Sequence, residues 1–247
     1  MNTNQSRRLI DPAPSPASNT RPKTDNTTPY QGRELGHDSL RLVEIEPAAH
    51  ESDHVVCRLS EVTFASRPKF EALSYRWGTE KANGIITLNG LPFEVRRNLL
   101  DAVLFLRREA ASEKARQPFW IDAICINQND VAERNRQLRI MEQIYFRAST
   151  VVVWLGSSYA KFQKELADEL KPEEGEKPEE DPTRRDNSIQ REMVRALRND
   201  QYWDRLWVLQ EIGRAEQLRV CFGDKSTSWV DFMDLMAMHN SNGNTGP

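Results

Sequence analysis

From Phe70 to His239, strand-like and helix-like segments alternate along the chain. Phe70–Arg76 is a short aromatic and aliphatic run between Pro68 and Gly78. From Asn98, a candidate cap, to about Glu109, the residues Leu99, Leu100, Val103, Leu104 and Leu106 recur at helical spacing. Phe119–Ile126 reads as a buried strand. Asp130-Val-Ala-Glu133 is a capping-box pattern with Asp in place of Ser or Thr. The helix behind it is expected to put Leu138, Met141, Tyr145 and Ala148 on one face, with Glu133, Arg134, Arg136, Gln137 and Arg139 largely covering the other. Val151–Leu155 is the next strand, ended by Gly156. Ser188–Asn199 and Trp203–Ala215 read as helices, Leu218–Phe222 as a strand, and Ser228–His239 as a last helix. This order predicts an α/β fold, a mainly parallel sheet with helices on both faces. Gly84–Val95 adds a β-hairpin decoration, because Asn89-Gly90 suits the type I′ turn that needs positive φ twice. Leu40–Glu46 and His54–Leu59 precede it as short strands.

The ends and one insert read differently. Residues 1–38 are rich in Ser, Thr, Asn, Pro and charge and show no hydrophobic period. They are expected to form a disordered tail, with order beginning near Ser39. The domain is then expected over 39–239, followed by a flexible tail over 240–247. Pro172–Asp186 is an acidic, Pro-interrupted insert expected to be a solvated loop. A net charge of −3 gives the chain no electrostatic pull toward nucleic acid or an anionic membrane. Apolar runs such as Thr150–Gly156 are too short to span a bilayer, and Met1–Asp11 has no apolar signal region. Three cysteines, Cys57, Cys125 and Cys221, without a CxxC pair argue against a disulfide framework. A soluble cytoplasmic protein is the expectation. No His or Cys pair has ligand spacing, so no metal is expected. No GxxxxGK[ST] or GxGxxG is present.

Parallel sheets bind ligands at the carboxyl ends of their strands, which directs attention to Ser74–Glu80, Asp122–Asp130 and Gly156–Tyr159. The blocks there are specific. They read Phe70-Glu-Ala-Leu-Ser-Tyr-Arg-Trp-Gly78, Asn98-Leu-Leu-Asp-Ala-Val, and Phe119-Trp-Ile-Asp-Ala-Ile-Cys-Ile-Asn-Gln128. Glu133-Arg134, Gln137, Met141, Ile144-Tyr145 and Ala148 follow. Then come Val151-Val-Val-Trp-Leu-Gly156 and Tyr202-Trp-Asp-Arg-Leu-Trp-Val-Leu-Gln-Glu-Ile212. Over most of residues 70–215 this succession resembles the fungal heterokaryon-incompatibility (HET) domain family. Arg76 departs from it, standing where the family usually has an aliphatic or polar residue. The resemblance implies an effector or signalling module of fungal non-self recognition and programmed cell death. Self-association or other incompatibility proteins would be its partners. The same blocks more distantly resemble TIR domains. The first block is similar to a TIR first strand, with Glu71 for Asp and Trp77 inserted before Gly78. Phe119-Trp-Ile-Asp122 is similar to the second strand, and Val151–Tyr159 to the strand that runs into a Ser and Tyr-Ala loop. Trp207-Val-Leu-Gln-Glu211 is similar to the Trp-x-x-x-Glu helix. That resemblance implies a flavodoxin-like or TIR-like sheet, NAD as substrate with no cofactor required, and Glu211 as the catalytic residue.

The residues themselves leave alternatives open. Trp207 and Glu211 stand at i and i+4 and would share a helical face. An indole against a carboxylate raises its pKa, and a carboxylate aimed at a ribose stabilises the positive charge of nicotinamide–ribose cleavage. A surface Glu paired with Arg205 or Arg214 is the plainer reading. Among Ser74, Tyr75, Arg76 and Trp77, an Arg could hold pyrophosphate and an aromatic could stack on a base. Core packing of Tyr75 and Trp77 at a strand end is the alternative. Asp122 could orient a ribose or cap the following turn, and Asn127 and Gln128 invite the same turn reading. Glu133 reads as a capping-box residue, and Arg134 and Gln137 as surface or interface. Cys125 has no adjacent base in its apolar run, and His37, His50, His54 and His239 lie outside the blocks, so no Cys–His catalyst is expected. Two mechanisms therefore compete. In one, Glu211 cleaves NAD, Trp207 shapes the pocket, and Ser74–Trp77 with Asp122 line the cleft. In the other, the domain is a non-enzymatic interaction module. The first needs Glu211 facing a cleft; the second would show a surface salt bridge and no nucleotide-sized pocket.

Overall fold

The computed structural model describes residues 28–32, 34–79, 81–111, 117–169, 188–205 and 208–237, and within these the chain forms one nine-stranded sheet. Ser39–Ile45 (β1) and Val56–Thr63 (β2) are antiparallel, registered from Ser39↔Thr63 to Ile45↔Cys57. Glu71–Tyr75 is β3. The hairpin is as expected: Gly84–Leu88 (β4) and Leu91–Val95 (β5) turn at Asn89 and Gly90, with φ 52° and 82°. Arg97–Ala111 forms α1. Phe119–Trp120 is β6, Asp122–Cys125 is the short helix α2, and Val131–Arg147 is α3. Thr150–Gly156 (β7) is followed by Ala160–Glu169 (α4), Ser188–Arg198 (α5) and Val208–Ile212 (α6). Leu218–Phe222 (β8), Lys225–Ser228 (β9) and Trp229–Ala237 (α7) complete the described chain.

In space the strands run β5-β4-β2-β1-β6-β3-β7-β8-β9. The sheet is mixed, which corrects the expectation of a mainly parallel one. β3 is parallel to β6 and β7, β7 to β8, and β2 to β4. The β1–β2, β1–β6, β4–β5 and β8–β9 pairs are antiparallel. Short links join β1 to β2, β4 to β5 and β8 to β9, and short links force antiparallel neighbours. Only the succession β3, β6, β7, β8 crosses over through helices. These four parallel strands lie in the spatial order second, first, third, fourth.

Three further expectations change. The buried run 119–126 is not one strand: the strand ends at Trp120 and the chain turns into α2. Ile121, Ile124, Cys125 and Ile126 are all buried, and an apolar run buried on every side has no period to separate strand from turn. The helix expected over 203–215 shortens to α6. On α3, Met141, Tyr145 and Ala148 are buried as expected, yet Leu138 is 47 % exposed while Glu133 and Gln137 are buried. Order also begins before Ser39. The Tyr30 hydroxyl donates to the Ile124 carbonyl at 2.9 Å, Asn89 Nδ2 donates to the Pro29 carbonyl, and Leu35 is buried. The insert at 172–186, the tails 1–27 and 240–247, His239 and Trp207 lie outside the described residues.

Side-chain alternation sorts the β3 residues between two faces. Tyr75 is the register neighbour of Trp154, and Trp154 packs on Phe105 of α1 with ring centroids 5.1 Å apart. Ser74 is the neighbour of Val153, which faces the other way into a second core with Tyr159, Phe162, Tyr202 and Phe232.

Candidate functional site

Two clusters of polar and aromatic groups gather at the carboxyl ends of β3 and β6, one on each face of the sheet. The first surrounds Glu211. Helix α6 brings this residue against β3, where it is 2 % exposed. The Arg205 guanidinium grips it with two bonds, Nη1 to Oε2 at 2.9 Å and Nη2 to Oε1 at 2.7 Å. Ser74 Oγ donates to Oε2 and lies 2.5 Å from the Tyr202 hydroxyl. Arg205 Nη1 also reaches Ser74 Oγ at 3.3 Å, and its guanidinium carbon lies 5.3 Å from the Tyr202 ring centre. Both Glu211 oxygens are thus engaged inside the protein. The Arg205 partner anticipated from sequence is present, but the pair is buried rather than on the surface.

The second cluster surrounds Trp77. Its Nε1 donates to Asp122 Oδ2 at 2.8 Å, and the Ala123 amide donates to Asp122 Oδ1 at 2.7 Å. Asp122 therefore starts the turn into α2, the local role weighed for it, and also clasps the indole. Burial pushes its carboxyl up to about 6; the hydrogen bond from Trp77 opposes the rise and the Glu211 charge adds to it. Arg96 lies over the Trp77 ring, 5.7 Å from its centre, and donates to the Gly78 carbonyl. Tyr75, Trp77, Arg96, Leu99, Phe93 and Tyr30 wall a cavity of about 310 Å³, which Asn127, Gln128 and Asn129 also line. Glu211 and Ser74 do not line it. A hollow of about 370 Å³ lies elsewhere, along α1 between Arg108, Trp154 and Asp224.

The four strand-end residues 74–77 therefore separate. Ser74 joins Glu211, Tyr75 and Trp77 join the cavity, and Arg76 is exposed with its guanidinium on Gln201 Oε1 at 2.9 Å. Asn98 lies inside α1 rather than capping it. Its amide joins the Arg76 carbonyl (2.6 Å) to Trp154 Nε1 (3.0 Å). Sequence reasoning passed over Arg96, Phe93 and Tyr30. Tyr30 had one available signal, being the only aromatic among the first 38 residues.

The raised Asp122 pKa has a measurable consequence. The folded state holds this proton more tightly than the unfolded chain, whose carboxyl titrates near the ordinary value of 3.8. Stability from this group is full below that value and is lost as pH rises through about 6. Denaturant unfolding of wild type and Asp122→Asn across this range should give a stability difference that moves against wild type as pH rises, then levels off. A difference that grows in favour of wild type would show that the carboxylate is stabilised.

Among the described residues no helix is long and apolar enough to cross a membrane, and no group of three or more His, Cys, Asp or Glu could hold a metal ion. Residues 70–211, more than half of the chain, match the profile of the family described as heterokaryon incompatibility protein (HET). The chain is 36 % identical over 126 residues to heterokaryon incompatibility protein 6, OR allele, of Neurospora crassa. That alignment covers 47 % of this chain and 18 % of the relative, so the chain spans less than a fifth of that protein. No solved structure matches. The matched stretch contains residues 74–77 and Asp122 and ends on Glu211. This chain belongs to the heterokaryon incompatibility family.

Proposed function

We propose that this chain is a cytoplasmic signalling module of fungal non-self recognition and programmed cell death, acting through contacts with its own copies or with other incompatibility proteins. Family membership and the named relative support the biological role. The closed state of Glu211 supports the interaction mechanism: both its oxygens are bonded to Arg205 and Ser74, and it does not line the cavity behind Trp77.

A second reading, cleavage of NAD at the nicotinamide–ribose bond, is favoured by a different observation. Glu211 is held beside Ser74 at the carboxyl end of β3, where parallel strands bind ligands, and is only 2 % exposed. The four parallel strands follow the second-first-third-fourth order that also opens the flavodoxin-like order, here inside a mixed sheet. In this reading Arg205 swings off Glu211, and the freed carboxylate stabilises the sugar cation as nicotinamide leaves.

Concentrated protein incubated with NAD separates the two. The interaction reading expects no nicotinamide by chromatography and a sedimentation coefficient that rises with concentration or with partner. Nicotinamide release by wild type, lost in a folded Glu211→Gln variant, would replace it with the cleavage reading.

A further inference from the structure

We infer that the cavity behind Trp77 binds a purine mononucleotide of the adenine type. The walls come first. Tyr30, Tyr75, Trp77 and Phe93 surround a space of about 310 Å³, at the small end of ligand pockets. That volume suits one base with its sugar rather than a dinucleotide. Aromatic walls favour a planar heterocycle, which loses little conformational entropy on stacking. The walls are held before any ligand arrives. Asp122 fixes the edge of Trp77, Tyr30 donates to the Ile124 carbonyl, and Tyr30 packs edge-on to Phe93 with centroids 6.3 Å apart. Little ordering then remains to oppose binding.

Polar groups among the lining residues supply recognition. Asn127 Oδ1 accepts from the Asn129 amide, and Gln128 Nε2 donates to the Asp122 carbonyl. Asn127 Nδ2 and Gln128 Oε1 have no partner among the described residues. An amide donor and an amide acceptor among the lining residues are the groups that read the amino group and ring nitrogen of an adenine edge. Arg96 directs one nitrogen to the Gly78 carbonyl, lies over the Trp77 ring and lines the cavity. A guanidinium placed so pairs with a phosphate. Glu94 also lines the cavity, so each added phosphate brings more like charge near it. Tyr30 lies outside the family-matched residues 70–211, so one wall comes from the segment that precedes the family domain.

This inference requires no bond cleavage. AMP has no nicotinamide–ribose bond, so its binding and the NAD assay can each fail without the other. Calorimetry should show saturable AMP binding to the full chain. Trp77→Leu should weaken it about tenfold, the ordinary effect of removing one stacking partner. Arg96→Gln should weaken AMP by a similar factor and weaken adenosine clearly less, since adenosine lacks the phosphate. Folding of each variant is checked by circular dichroism, and Arg96→Gln alone carries the test if Trp77→Leu does not fold. Absence of saturable AMP binding to folded wild type at millimolar ligand would overturn the inference. So would adenosine binding as tightly as AMP, or an Arg96→Gln variant that binds AMP like wild type.

Discussion

Glu133→Ala is expected to destabilise the protein by about 3–5 kcal/mol, the usual range for stranding one member of a buried ion pair, and so to lower the Tm by roughly 10 °C. Arg41 and Glu133 side chains are 1 % and 4 % exposed and meet through two bonds of 2.6 and 2.9 Å. The pair has further partners. Arg41 Nη1 donates to the Cys125 carbonyl at 3.1 Å, the Asn127 amide donates to Glu133 Oε1 at 2.7 Å, and the Tyr30 ring lies 4.9 Å from the guanidinium. It therefore ties β1 and the 28–32 segment to the α2–α3 corner. A guanidinium cannot neutralise itself by losing a proton near neutral pH, so truncating Glu133 leaves a full buried charge. Replacing both partners by apolar residues of similar size removes the charge problem. Arg41→Met with Glu133→Leu should recover most of the loss, as such swaps often do. Guanidinium unfolding of the two singles and the double checks this. A Glu133→Ala loss below about 1 kcal/mol would mean that water reaches Arg41 once its partner is gone.

That ion pair marks where sequence reading stopped. The capping pattern at 130–133 is half present: Asp130 Oδ1 accepts the Glu133 amide, but the Glu133 carboxylate turns inward to Arg41 instead of back to the Asp130 amide. Helical periodicity treats charge as solvent-facing, so it assigned Glu133 and Gln137 to the outside and Leu138 to the core. Their burial depends on Arg41, 92 positions away, and on the Ser39 carbonyl that Gln137 Nε2 reaches. Local signals did better. The Asn89-Gly90 turn, the Leu-rich period of α1 and the apolar runs of β7 and β8 hold within a residue or two, because each is set by neighbours in sequence.

The site was legible in the same uneven way. Strand ends at 74–77 and 122 do meet, and Ser74 and Glu211 touch across 137 positions. The split of 74–77 follows from alternation once β3 is placed, since Ser74 and Tyr75 must point to opposite faces. What no local pattern shows is Arg205 folding back onto Glu211. That contact arises because the expected helix over 203–215 breaks, leaving Arg205 outside α6 and free to turn toward the carboxylate.

Glu211→Ala is expected to cost about 3 kcal/mol, the lower end of the range for broken buried pairs. The Arg205 side chain is 19 % exposed, so its charge can regain some water where Arg41 cannot. Ser74 Oγ, however, would lose its carboxylate acceptor deep inside the protein and keep only the Tyr202 hydroxyl, and a hydrogen bond to a charged group contributes about 1.5–3 kcal/mol. Glu211→Gln keeps the shape and one acceptor oxygen and gives up only the charge. The expected order of stability is therefore wild type, then Glu211→Gln, then Glu211→Ala, with the Gln variant about 1–2 kcal/mol below wild type. Thermal and denaturant unfolding read this order directly. It bears on mechanism as well as on fold. A carboxylate kept for binding contacts alone has no reason to oppose stability, and its neutral isostere should be worse. Catalytic groups are often held at a cost to stability, and their replacement then stabilises. A Glu211→Gln variant more stable than wild type would count against the purely structural role of the Arg205–Glu211 pair and toward NAD cleavage.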